Sequence, residues 1–115
     1  MIDNTSGMPE RVRNLYQDIP VKLVDEMLET LHEDMDVRIE RIVSRGHSSP
    51  SGFWYEQNED EWVLLLKGNA VLEFAGGRTA ALGEGDSILI QAGEKHRVAA
   101  TSSEPACVWL CVYIN

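Results

Sequence analysis

Positive charge is scarce in this chain: 10 Lys and Arg stand against 19 Asp and Glu, a formal net charge of −9 over 115 residues. Nucleic acid and anionic membrane surfaces both require a cationic face, so neither is expected as a partner. Long apolar runs are missing as well. No stretch approaches the roughly 20 apolar residues of a membrane span, and the opening MIDNTSGMPERVRN lacks the apolar centre of a secretion signal. A cytoplasmic protein is the expectation. Cysteine is limited to Cys107 and Cys111. Four positions apart in an apparent strand, they lie about 13 Å from one another, beyond disulfide reach, and read as buried thiols in a reducing compartment. Repeats, low-complexity segments, phosphate-loop glycine spacing and a nucleophile elbow are all absent.

What is present is an ordinary globular composition, 43% hydrophobic and 25% charged, of a length that suits one domain. Residues 1–17 are polar around Gly7 and Pro9 and read as a flexible arm. Residues 18–34 read as a helix packed on the rest: Asp18 can cap it, Pro20 suits its first turn, and Leu23, Val24, Met27, Leu28 and Leu31 form one apolar stripe. Its acidic residues Asp25, Glu26, Glu29 and Glu33 read as a solvated face, and His32 as a cation at the helix end.

Residues 35–115 are strands broken by turns, an all-β pattern. Strands are expected near 37–44, 52–57, 61–67, 70–75, 78–82, 86–91, 95–101 and 106–114, with turn signals such as Gly68-Asn69, Gly76-Gly77 and Gly83-Glu84-Gly85 between them. Two of these strands, 62–66 and 107–114, are apolar on both faces, so both must be covered. The helix can cover one and a second copy of the chain the other, hence an expected homodimer.

Polar residues interrupt this pattern in two places. In FWYEQNEDEWVLLLKG, residues 53–68, Tyr55, Gln57 and Glu61 fall on one side of a hairpin by strand alternation, while Glu56, Glu59 and Asp60 fall to solvent. The same alternation carries Lys67 toward the interior. In GDSILIQAGEKHRVAA, residues 85–100, His96 shares a face with Val98 and Ala100. If both faces look inward, four polar side chains converge in an apolar cup, the form of a small-molecule site.

The two stretches together resemble the two motifs of the cupin superfamily. Tyr55-Glu56-Gln57, three residues, Glu61, six residues and Gly68 follow the spacing of the first motif, with Tyr55 and Gln57 where the family has histidines. Gly85, Gln91, Gly93 and His96 follow the second, with Gln91 in the place of a proline. The resemblance covers about 50 residues and implies a double-stranded β-helix, a jelly-roll barrel with a site inside it. It implies a divalent transition metal (Fe, Mn, Ni or Zn) held by Gln57, Glu61 and His96, with Tyr55 or His47 as further donors, and an oxygenase or isomerase acting on a small polar metabolite. The alternative is a metal-free pocket. There Glu61 and His96 form an acid/base pair with Tyr55 as proton donor, or the barrel binds or senses a ligand without catalysis.

Overall fold

The structure, a computed structural model, describes residues 11–115. Eight strands follow one another: β1 (Met27–Glu33), β2 (Val37–Ser44), β3 (Asp60–Lys67), β4 (Ala70–Phe74), β5 (Thr79–Leu82), β6 (Ser87–Ile90), β7 (His96–Thr101) and β8 (Cys107–Ile114). They form two antiparallel sheets, one in the order β1-β2-β8-β3-β6 and one in the order β5-β4-β7. This is the expected jelly-roll barrel. The inward rows Val63 and Leu65, Leu72 and Phe74, Ile90, and Trp109 and Cys111 meet between the sheets as a continuous core.

Residues 18–34 differ from the sequence reading. Residues 18–26 run as bends and irregular chain, and residues 27–33 are strand β1, paired with β2 from Met27↔Val43 to Glu33↔Arg38. Without β1, strand β2 would present a bare edge of backbone donors and acceptors, and pairing it satisfies groups that a separate helix would leave open. The apolar spacing that suggests a helix serves an irregular strand instead. Residues 1–10 of the expected arm lie outside the described residues. Residues 11–17 are held rather than loose: Arg13 pairs with Glu29 at 2.9 Å.

Residues 11–26 form a strap fastened to the outer face of β2. Arg41 on the outer face of β2 is 0% exposed, and its guanidinium donates to the carbonyls of Leu15 (3.0 Å), Gln17 (2.6 Å) and Asp18 (3.4 Å) and to Glu29. Arg45 donates to the Pro20 carbonyl at 2.8 Å, and the Tyr16 hydroxyl to that of Leu66 at 3.3 Å. Asp18 turns the strap with a left-handed φ of 58°, a conformation its short polar side chain tolerates. Arginine does here what the expected helix stripe was to do by apolar contact.

Other strand expectations meet local irregularities. Residues 52–57 form no strand: Tyr55 alone makes a bridge, to His96. A register shift between Leu65 and Lys67 breaks the alternation of β3, so Lys67 is exposed instead of entering the barrel. A second shift, where Val71 pairs with Ala100 and Leu72 with Val98, leaves Ala99 unpaired and turns Ala100 out to solvent.

Candidate functional site

The four sequence-predicted residues do come together. Glu61 begins the inward row of β3 and is 7% exposed; His96 begins β7 and is 5% exposed. Tyr55 and Gln57 arrive on a loop segment docked by backbone bonds. Tyr55 N–H donates to the His96 carbonyl (2.7 Å), His96 N–H to that of Tyr55 (3.0 Å), and Gly93 N–H to that of Gln57 (2.7 Å). The glycine and histidine of the second motif thus hold the remnant of the first, which explains why single-residue bridges suffice where a strand was expected.

Glu61 is the hub. Its Oε1 accepts from Gln57 Nε2 at 2.9 Å and lies 3.5 Å from His96 Nε2. The other ring nitrogen, Nδ1, donates to the Glu94 carbonyl at 2.9 Å, which aims Nε2 at the carboxylate. Burial on its own would lower the His96 pKa. The hydrogen bonds to Glu61 and Glu94 and the charge of Glu61 outweigh it, so the imidazole titrates above its ordinary value. Its ring stacks on Tyr55 at 5.5 Å between centroids, with Phe74 at 6.3 Å. Burial, then the Glu61 carboxylate, raise the pKa values of Cys111 and Tyr113, so both keep their protons beside it.

A cavity of about 110 Å³ opens above this hub, walled by Val63, Ile90, Trp109, Cys111 and the four predicted residues. Two of its wall residues were assigned otherwise in the sequence. Glu26, read as helix surface, reaches the mouth because residues 18–26 are a strap; its Oε2 accepts from Ser44 Oγ at 3.1 Å. Tyr113, read as core, looks into the cavity from β8; its alternation with Trp109 and Cys111 was the available signal. His47 is not a site donor. Its Nδ1 accepts from Arg45 N–H (2.9 Å) and its Nε2 donates to the Val24 carbonyl (3.0 Å), so both nitrogens are engaged, the second in fastening the strap. Glu59 and Asp60 have structural work as well: Glu59 accepts from Arg38 at 3.3 Å and Asp60 from the Ala92 N–H at 2.8 Å.

The residues fit a catalytic metal poorly. Such sites use three strong donors as a rule, and here Glu61 and His96 are two. Among the described residues no group of three His, Cys, Asp or Glu gathers at metal-binding distance. Gln57 turns its amide N–H toward Glu61, as a hydrogen-bonding partner of the carboxylate and not a co-ligand. No helix among the described residues is long and apolar enough to cross a membrane.

Comparison with known proteins follows the same lines. The sequence profile of the family described as Cupin domain matches residues 41–113. A solved structure from Ralstonia eutropha JMP134, which carries the provisional name mannose-6-phosphate isomerase, is 39% identical. It aligns over 90% of this chain and 97% of its own, with a TM-score of 0.87. A cupin superfamily protein from Desulfitobacterium hafniense DCB-2 is 21% identical over 84% of this chain and 83% of its own (TM-score 0.71). A Thermus thermophilus protein is 15% identical over 90% and 96% (TM-score 0.74). These last two show a shared fold. No curated protein matches the chain.

Proposed function

This chain belongs to the cupin family, and on that premise we propose that its barrel is an isomerase-type site for a small carbonyl compound, worked by Glu61 and His96 as a proton-transfer pair. The observation that carries the reading is the buried Glu61–His96 contact, 3.5 Å long, at the floor of the cavity. A carboxylate and an imidazolium side by side supply both halves of an enolisation. Glu61 takes the proton from the carbon next to the carbonyl, and His96 delivers one to the carbonyl oxygen, giving the enol. On an α-hydroxy carbonyl compound that enol is an enediol; the neutral His96 imidazole then takes the proton of the other hydroxyl while Glu61 delivers its proton to the former carbonyl carbon, giving the isomer with both residues restored. Gln57 keeps Glu61 in place by its 2.9 Å hydrogen bond, and Tyr55 stacks on the imidazole. Because Glu61 and His96 are two strong donors where three are needed, no step is routed through a metal.

The provisional name of the Ralstonia protein supports an isomerase but not the same substrate here. A cavity of about 150 Å³ holds one benzene ring, so about 110 Å³ encloses a fragment of roughly four or five non-hydrogen atoms. No Lys or Arg among the described residues lines it to meet a phosphate. The test is solvent exchange: small hydroxyketones and aldehydes are incubated with the protein in heavy water and followed by NMR for deuterium entering the carbon beside the carbonyl. The wild type is expected to catalyse it, and Glu61→Gln and His96→Gln to lose it by about 100-fold or more. Equal exchange by wild type and both variants would sink the assignment.

A further inference from the structure

The cavity carries more negative charge than the proton-transfer pair uses. Glu61 has His96 opposite it, but Glu26 at the mouth forms no ion pair among the described residues. Glu26 is nevertheless anchored. Ser44 Oγ, which donates to it, accepts in turn from the indole N–H of Trp109 at 3.2 Å, and both Ser44 and Trp109 are buried. A surface carboxylate that merely meets water has no need of a two-step buried tether.

Its place is also a border between two hollows. Glu26, Tyr55 and Val98 belong at once to the inner cavity and to an outer depression of about 300 Å³, whose remaining wall includes Asp25, His47 and Ser49. Asp25 and Glu26 line the outer depression and Glu26 the inner cavity, and no Lys or Arg lines either among the described residues. Both ring nitrogens of His47 are already engaged, Nδ1 with the Arg45 N–H and Nε2 with the Val24 carbonyl. The lining is therefore anionic in a chain that is itself strongly anionic. Charge complementarity selects against carboxylates and phosphates and for cations.

We propose that the ligand of this site is a small protonated amine with a carbonyl beside it, and that Glu26 is the residue that selects it, by pairing with the ammonium while the carbonyl end lies over Glu61 and His96. The proposal rests on the reading of the cavity as a ligand site and adds the charge of the ligand. Three probes of about equal size separate the possibilities: glycinamide (cationic), glycolamide (neutral) and glycolate (anionic). Each is titrated into ¹⁵N-labelled protein in chelator-containing buffer, following the backbone amides of Glu61, His96 and Cys111.

Glycinamide is expected to bind at least about tenfold more tightly than glycolamide, as one ion pair at a partly exposed site provides, with glycolate weakest. Glu26→Gln, which still accepts from Ser44, is expected to bring the first two within about twofold. If glycolamide or glycolate binds as tightly as glycinamide, or the preference survives Glu26→Gln, the assignment to Glu26 is overturned while the cavity reading stands. If none of the three shifts these amides, the cavity takes no ligand of this kind and both readings fall.

Discussion

Arg41→Met removes the guanidinium that ties the strap to the barrel and keeps most of the aliphatic stem that packs on β2. The wild-type group is fully buried and donates to three backbone carbonyls of residues 15–18 and to Glu29. Each hydrogen bond of this kind contributes about 1 kcal/mol net, more where charged. The Glu29 pair adds less than its short contact suggests, because that carboxylate is 31% exposed and screened by water. The sum is about 3–4 kcal/mol, within the range for breaking a buried charged contact. For a domain near 100 residues that corresponds to a Tm lower by roughly 12–20 °C. Urea denaturation followed by circular dichroism measures the first figure, and limited proteolysis shows whether residues 11–26 become cleavable. A loss under about 1 kcal/mol with the strap still protected would refute the reasoning, because Arg41 would then be a passenger under a strap held by other contacts.

Glu61→Ala is expected to cost about 2–3 kcal/mol, because it leaves the Gln57 amide and the buried His96 Nε2 without their shared partner, while Glu61→Leu combined with His96→Leu recovers most of that loss; a double-mutant cycle in urea with coupling below about 0.5 kcal/mol would count against the pair. The pH dependence has a definite sign. His96 titrates higher folded than unfolded, so its contribution is full below the ordinary histidine value of about 6.5 and is lost as pH rises through the folded value. The stability gap between wild type and His96→Asn should therefore shrink from pH 6 to pH 9, and a widening gap would contradict it. Gly68→Ala should lose at least about 2 kcal/mol, since an added Cβ would sit 2.8 Å from Ser102 Oγ and 2.9 Å from Cys107 Sγ at φ +89°. Gly85→Ala, at φ +86° with open space around it, should lose only about 1 kcal/mol; equal losses at the two would show that backbone strain alone decides.

The barrel was legible because its strands carry period-two alternation and their turns carry glycine, signals that are local. Strand β2 fell at 37–44 and β3 within a residue of expectation for that reason. Glu61 and His96 were legible through the spacing to Gly68 and Gly93, and it is Gly93 whose N–H docks Gln57. The strap was not legible. Leu23, Val24, Met27 and Leu28 satisfy helical spacing as written, and only the open edge of β2, a feature of the assembled sheet, makes a strand the better answer. Glu26 was lost with it: a carboxylate on a helix surface and one at a cavity mouth have the same local sequence. Lys67 and Ala100 were misplaced by single-residue register shifts, which alternation cannot foresee.

The account stands most directly on whether Glu61 and His96 transfer protons without help. The decisive measurement is deuterium exchange into the carbon beside the carbonyl, made on one protein sample before and after chelation, with its transition-metal content determined at both points. Exchange that continues undiminished when metal falls below about a tenth of an equivalent per chain is the predicted result, the pair being complete in itself. Exchange that vanishes with the metal and returns when a single metal is restored would contradict it, and would mean that Gln57, Glu61 and His96 rearrange into a coordination shell.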